Sequence, residues 1–152
     1  MNKDSMQQLL EKDLINSAKL ENLLRCEREQ LEQRNIGALN ETLIEKAQLL
    51  ADIEANDHAR QKILASFGES TDNRALRDYC SQNGMESLYK DLLKSLQQCS
   101  DLTNINGVIV HRSRLNNRHL LDIMQGKSSQ PSVYTSQGDS SSSANSRAIA
   151  KA

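Results

Sequence analysis

Aromatic side chains are scarce in this chain of 152 residues, which has no tryptophan, one phenylalanine and three tyrosines. The core of a globular enzyme usually relies on aromatic bulk, whereas the apolar residues here are mainly Leu, Ile, Ala and Met. Proline, which breaks helices, occurs once, at Pro131. These shortages argue against an aromatic-rich enzyme core and favour long helices that pack through aliphatic side chains.

Sequence motifs that carry enzyme chemistry are also missing. HExxH, CxxC, GxGxxG, the P-loop and GxSxG do not occur. Among the three histidines, His58, His111 and His119, the last two are eight residues apart, whereas a metal clamp on one helix face needs a spacing of four. We therefore expect neither an enzyme nor a bound metal or cofactor.

Cysteine usage and hydropathy predict a cytoplasmic protein without a membrane-inserted segment. Cys26, Cys80 and Cys99 are odd in number and never in CxxC spacing, which predicts free thiols in a reducing compartment. No apolar run approaches the ~20 residues needed to cross a bilayer, and the first residues lack a signal-peptide core. The net charge of −1 provides no overall field for nucleic acid or anionic lipid, so we expect neither as a partner.

Apolar residues recur every three or four positions over the first 67 residues, which predicts two long helices. Asp4 or Ser5 can cap the first helix. A break at residues 35–37 separates it from the second, which stops at Phe67 and Gly68. Because each helix needs a partner for its stripe, we expect an antiparallel hairpin. The first stripe is Met6, Leu10, Leu14, Ser17/Ala18, Leu20, Leu24 and Leu31, and the second is Ile36, Leu39, Leu43, Ala47, Leu50, Ile53 and Leu64.

A short helix over residues 74–80 and a third long helix over residues 85–124 are predicted after the hairpin. Only Gly107 interrupts the long helix, and Gly126 ends it. At about 40 residues, or ~60 Å, it is longer than either arm of the hairpin, so we expect its C-terminal part to project or to pack loosely. Its stripe is Leu88, Leu92, Leu96, Cys99, Leu102/Thr103, Asn106, Ile109/Val110, Ser113, Asn116/Asn117, Leu120 and Ile123/Met124.

The end of the chain has a different composition. Nine of the 19 residues from 128 to 146 are serine, and nothing there repeats at helical spacing. Such a stretch buries too little apolar surface to offset the entropy lost on ordering. We therefore predict an all-α protein, with a helical bundle over 1–125 and a disordered, flexible tail over 126–152. Tyr134, beside Val133, is the tail's one aromatic residue, either a short linear anchor for a partner or a chance occurrence.

Two sets of polar residues in the third long helix each allow two interpretations. The basic residues would contact RNA or an acidic partner, or they are cations favoured at a helix C-terminus by its dipole. The asparagines would fix the register of the bundle, or they mark a face that meets a partner part of the time. Gly107 supports a close backbone approach in either case. The basic residues are His111, Arg112, Arg114, Arg118 and His119, and the asparagines are Asn104, Asn106, Asn116 and Asn117.

Two segments resemble elements of FlgN-type flagellar export chaperones. Residues 104–109 (NINGVI), followed by an apolar repeat to 120–124 (LLDIM), resemble the family's asparagine-glycine run, with a shorter first asparagine spacing. Residues 133–138 (VYTSQG) are similar to its LYxxxG tail, although Val133 replaces the usual Leu and Thr135 stands where Gly is common. The second helix also fits the family pattern. The similarity covers nearly the whole chain, but only the asparagine-glycine and tyrosine-glycine elements are specific.

The resemblance implies a cytoplasmic, non-enzymatic chaperone. It would bind the amphipathic terminal helices of the hook–filament junction proteins FlgK and FlgL, prevent their premature association, and deliver them to the type III export gate. The gate partner would be the cytoplasmic domain of FlhA, with the export ATPase complex as a further candidate. Because the third long helix is longer than the hairpin, we expect it to cover the client helix, through Leu102, Asn106, Ile109, Val110, Ser113, Asn117, Leu120, Ile123 and Met124. The isolated aromatic in the tail and its match to the family's tyrosine predict gate docking through Val133, Tyr134 and Gly138.

Two other functions stay open at this point. A structural coiled-coil adaptor would homo-oligomerise through the same apolar seam of the third long helix, and its stoichiometry would distinguish it from a chaperone that binds one copy per client. An RNA-binding helical hairpin would bind with steep salt dependence.

Overall fold

The structure is a computed structural model, and it describes residues 2–127. Four helices account for most of these residues: α1 (Asn2–Gln33), α2 (Ile36–Ser66), α3 (Asn73–Gln82) and α4 (Glu86–Met124). No strand occurs within this part of the chain. The predicted all-α class, with two long helices, a short helix and a longer last helix, is confirmed.

A tight turn joins α1 and α2. Arg34 adopts a left-handed φ of 56°, and the Asn35 backbone N–H returns to the carbonyl of Gln30 over 2.9 Å, which closes the end of α1. The Asn35 side chain then accepts a hydrogen bond from the Ala38 N–H, 3.2 Å away, and so caps α2. The predicted break is therefore confirmed at Asn35, whereas Ile36 and Gly37 already belong to α2.

The other helix ends follow local sequence signals. Gly68, Gly84 and Gly126 all have φ near +70°, which places a residue without a side chain at the end of α2, α3 and α4. The predicted cap of α1 at Asp4 or Ser5 is wrong, because α1 already contains both residues. Asp4 instead lies in the first turn, where a carboxylate is favourable beside the helix dipole.

The three long helices run in defined directions. Glu27 contacts Lys46 and Asp13 contacts Asn56, so α1 and α2 are antiparallel, as predicted. The Ser95 hydroxyl of α4 donates to the Ser17 hydroxyl of α1 over 2.8 Å, while Asn106 contacts the carbonyl of Leu24. Since the residue numbers of the contacting pairs increase in the same direction along both helices, α4 runs parallel to α1.

The buried face of α1 alternates between apolar and polar layers. Met6 and Leu10 belong to one apolar cluster, and Leu20 and Leu24 belong to another. Buried polar residues separate and follow them: Asp13 and Ser17 between the clusters, and Glu27 after the second. The first cluster also contains Leu64, Leu76, Cys80, Met85, Tyr89 and Leu92, and the second also contains Leu49, Cys99 and Leu102.

The predicted apolar stripe of α2 is wrong for most of its first half. Ile36, Leu43 and Leu50 are 63%, 37% and 45% exposed, whereas Thr42 and Leu49 are buried. This half of α2 carries apolar side chains on two sides, so periodicity alone does not select the buried one. In this half, Lys46 supplies the polar contact to Glu27 of α1.

Contacts divide the chain into two compact units, residues 1–113 and 114–152. The first unit contains α1, α2, α3 and most of α4, and the described part of the second unit is residues 114–127. At 39 residues, α4 is longer than α1 and α2, as predicted. The predicted domain boundary at 125/126 stays a prediction, because nearly all of the predicted tail lies outside the described residues.

Candidate functional site

The apolar stripe of α4 is buried at Leu92, Cys99 and Leu102, although Leu96 within it is 38% exposed. Leu102 packs with Leu20 and Leu24 and is only 8% exposed. One turn later, the Asn106 side-chain amide donates to the Leu24 carbonyl and to the Glu27 carboxylate, each over 3.0 Å. Leu102 and Asn106 were predicted to bind a client, but in this structure they hold α4 against α1.

Asn106 belongs to a buried polar contact that joins three helices. Glu27 accepts from Asn106 of α4 through one carboxylate oxygen and from Lys46 of α2, 2.7 Å away, through the other. This arrangement corresponds to the register interpretation of the asparagines for Asn106. A Cβ added at Gly107 meets nothing within 4 Å, so no close backbone approach occurs there within this chain. A close approach by a partner at Gly107 stays a prediction.

Burial of the stripe decreases along the rest of the first unit. Ile109, Val110 and Ser113, all predicted client-binding residues, are half-buried. None of them joins the two buried apolar clusters of residues 2–127.

In the second unit, considered by itself, the helical residues are exposed apart from Asp122, which is half-buried. The predicted client-binding residues Leu120, Ile123 and Met124 are 57%, 54% and 83% exposed, and Asn117 is exposed as well. Single exposed apolar residues are ordinary on a protein surface, whereas several on one short helical segment indicate a contact surface. We call the exposed apolar side chains of residues 115–124 the α4-end surface.

Two members of the α4-end surface were missed by the sequence reasoning. Leu115 and Leu121 are 53% and 55% exposed. Both lie off the stripe that was traced at three- and four-residue steps, so a search for one buried face passed over them. Only the composition of this segment could have indicated these two residues, since five of the ten residues from 115 to 124 are Leu, Ile or Met.

Basic side chains accompany this surface. Arg114, Arg118 and His119 in the second unit are exposed, as are His111 and Arg112 in the first. None of these five side chains forms an ion pair with another residue of 2–127. The α4-end surface is therefore apolar, with Arg114 and Arg118 beside it.

The cysteines are free thiols, as predicted. Cys26 is exposed, whereas Cys80 and Cys99 are buried. Burial raises the pKa of Cys80 to about 11 and also raises the pKa of Cys99, so both stay protonated near neutral pH. Within residues 2–127, no three His, Cys, Asp or Glu side chains come together in a group that could hold a metal ion.

Two further expectations from the sequence concern the membrane and the export gate. No helix among the described residues has the length and apolarity that crossing a bilayer requires. The predicted gate-docking residues Val133, Tyr134 and Gly138 lie outside the described residues.

A model of the FlgN protein family matches residues 1–142. Together with the all-helical fold, this match defines a class: the protein is a flagellar export chaperone. The chain belongs to the FlgN family, and membership implies binding of hook–filament junction proteins in general. Neither a curated protein nor a solved structure matches it.

Proposed function

We propose that this protein binds the amphipathic terminal helices of the junction proteins FlgK and FlgL through the α4-end surface. The observation that carries the proposal is the exposure of five large apolar side chains within ten residues of one helix. Such a helix can pack against the apolar stripe of a client helix and remove both from water. Covering the client stripe would prevent its premature association.

The proposed contact is centred on the second unit. Leu102 and Asn106 are buried against α1, so they are assigned to the bundle rather than to the client. The half-buried Ile109, Val110 and Ser113 stay predicted client-binding residues. Asn117 adds a polar position to the surface, which keeps it moderately apolar, as a client that must be released requires.

Delivery forms the second part of the proposal. The protein would act in the cytoplasm and carry its client to the export gate, where Tyr134, with Val133 and Gly138, would dock on the cytoplasmic domain of FlhA. An aromatic anchor loses little rotamer entropy on binding. The export ATPase complex is a further candidate partner.

The experiment compares two exposed apolar residues of different units. Leu120→Asp places a charge in the proposed client contact, and Ile44→Asp places the same charge on α2, where Ile44 is 69% exposed. Burial of a leucine side chain contributes about 1.5–3 kcal/mol, so Leu120→Asp should weaken binding of purified FlgK or FlgL at least ~10-fold.

Isothermal titration calorimetry measures the affinity, and far-UV circular dichroism checks that both variants stay helical. Ile44→Asp should bind like the unchanged protein. Equal affinities for the two variants would contradict the proposed location of the client contact.

A further inference from the structure

The apolar side chains in the last turn of α4 cover a wide arc of the helix surface. Successive residues of an α-helix lie about 100° apart around its axis. Measured from Leu120, Leu121 lies about 100° to one side and Ile123 about 60° to the other. Met124 lies between Leu120 and Leu121, and all four side chains are more than half exposed. In the second unit, these residues therefore form an exposed apolar arc of about 160°.

In the first unit, the same helix shows how much of its circumference a packed neighbour covers. Cys99, Leu102 and Asn106 are buried where α4 packs against the hairpin, and they span about 60°. Thr103 and Ile105 lie on the two sides of this stripe, and both are exposed. A two-stranded coiled coil has a similarly narrow seam, whereas a stripe of about 100° or more is typical of a helix that faces a core. One packed contact therefore leaves both sides of the stripe uncovered.

The end of α4 repeats this pattern with large apolar residues on both sides. A step of 18 residues makes about five helical turns, so Leu120 repeats the position of Leu102. Leu121 and Ile123 repeat the two side positions in the same way. A partner that packed on Leu120 as the hairpin packs on Leu102 would leave both side positions in water, and the free energy of their burial would not be gained. Covering the whole arc therefore requires one partner helix on each side.

The two sides of the arc differ in charge. Arg114 and Arg118 lie about 20° and about 60° beyond Leu121, and both are exposed. Neither forms an ion pair with another residue of 2–127. Asn116 lies beside Ile123, and the second unit has no arginine on that side. Since opposite charges across an interface favour the contact, the Leu121 side suits a helix that carries acidic residues.

We propose that the end of α4 binds two helices of one junction protein at the same time. Leu121 packs against one helix and Ile123 against the other, and the helix on the Leu121 side is the more acidic. Together the two helices remove Leu120 and Met124 from water as well. This pairing rests on the proposed function, since it specifies the form of the client that the α4-end surface holds. One junction protein supplies both helices, so the complex contains the two chains in equal number.

Site-directed crosslinking shows how many client helices lie against the arc. Cys26 is exposed and the other two cysteines are buried, so Cys26→Ser provides a background without an exposed thiol. In that background, Leu121→Cys and Ile123→Cys each receive a photoactivatable maleimide and are irradiated with purified FlgK. Mass spectrometry should map the two labels to different helices of one FlgK chain. Val108→Cys, at an exposed position of α4 outside the predicted client contact, is the matched control and should give little crosslinking.

Charges placed on the two sides of the arc supply the second test, by isothermal titration calorimetry with FlgK. Leu121→Asp and Ile123→Asp should each weaken binding at least ~10-fold. The double variant should weaken it ~100-fold, because the two side chains contact different helices. Val108→Asp should bind like the unchanged protein. Arg114→Glu should weaken binding and reduce its salt dependence, whereas Lys94→Glu, at an exposed position of α4, should change neither.

Crosslinks from both labels to one FlgK segment would overturn the proposal, and so would a loss of affinity from only one of the two side variants. A complex with two FlgK molecules per chain would overturn it as well. None of these results bears on whether the end of α4 holds the client, which Leu120→Asp tests. Normal binding by Leu120→Asp would remove the proposed client site and the helix pair together. Weak binding by Leu120→Asp, with normal binding by both side variants, would keep the site and overturn only the helix pair.

Discussion

The side-chain amide of Asn106 on α4 lies 3.0 Å from the carboxylate of Glu27 on α1, and both residues are buried. Lys46 of α2 reaches the same carboxylate over 2.7 Å. Buried polar groups need partners, and the Asn106 amide nitrogen, the Glu27 carboxylate and the Lys46 ammonium pair only when the three helices stand at one relative height. The buried Asn106 Oδ1 has no hydrogen-bond partner among residues 2–127. The contact therefore sets the register of the bundle at the last buried position of α4.

Removing this amide should destabilise the fold. Asn106→Ala deletes the donor to both Glu27 and the Leu24 carbonyl, and a hydrogen bond to a charged group contributes about 1.5–3 kcal/mol. We expect the free energy of unfolding to fall by ~2 kcal/mol in a urea titration. Asn104→Ala, an exposed asparagine on the same helix, should change it by less than ~0.5 kcal/mol. Equal losses from the two variants would show that the buried contact does not stabilise the bundle.

The buried contact between Arg60 and Asp13 should lose more unfolding free energy than the Asn106 contact when one partner is removed. The Arg60 guanidinium on α2 contacts Asp13 of α1, both are buried, and Asn56 also donates to Asp13. Burial lowers the pKa of Arg60, which reflects the cost of a charge held away from water. Asp13→Ala leaves this charge with Asp57 alone, so we expect a loss of about 3 kcal/mol in unfolding free energy.

The Asp13–Arg60 pair contributes less to the unfolding free energy than the loss on removing one partner suggests. Replacement of both charges, Asp13→Leu with Arg60→Met, removes the unpaired charge and should cost much less than the single change, as measured by urea or thermal unfolding. Asp91→Ala, an exposed and unpaired aspartate, should have little effect. A double variant as unstable as the single one would mean that the charges themselves are required for folding.

Alkaline pH should weaken the fold through Cys80. Burial raises its pKa from the ordinary 9.0 to about 11. Below pH 9 both the folded and the unfolded chain hold the proton, and the full stability is present. Between those two values the unfolded chain releases the proton while the folded chain keeps it, so unfolding becomes easier as pH rises.

Urea midpoints from about pH 8 to about pH 11 measure this effect. Between these pH values, Cys80→Ala should lose less stability than the unchanged protein, although the variant is the less stable of the two at the lowest pH. Cys26→Ala, which removes the exposed thiol, should follow the unchanged protein. Parallel curves for Cys80→Ala and the unchanged protein would contradict the assignment.

Client binding and gate docking should separate, because they are assigned to different segments of the chain. Truncation of an aromatic anchor commonly costs ~2 kcal/mol or more, so Tyr134→Ala should weaken binding to the cytoplasmic domain of FlhA at least ~30-fold. The affinity for FlgK or FlgL should stay unchanged in the same calorimetric assay. Normal binding to FlhA, or a matching loss of client affinity, would contradict the role assigned to Tyr134.

Several features of the molecule could be predicted from local sequence. The aliphatic repeats, Asn35 and the glycines at 68, 84 and 126 determine where helices begin and end, because caps and left-handed positions depend on a few neighbouring residues. The antiparallel order of α1 and α2 follows from a connection of only two residues. The excess length of α4 also follows, since no breaker interrupts it before Gly126.

The tertiary structure decided which sides of these helices are covered. The first half of α2 has two apolar sides, and the side that carries Thr42 and Leu49, with Lys46 in contact with Glu27 of α1, is the buried one. The stripe of α4 is continuous in sequence, yet Leu102 is covered and Leu120 is exposed. Periodicity reports which residues share a side of a helix, whereas burial depends on whether a second helix lies at that height. For this reason the sequence by itself determined the helices and the family resemblance, and only packing distinguished the residues that hold the bundle together from those left free to bind.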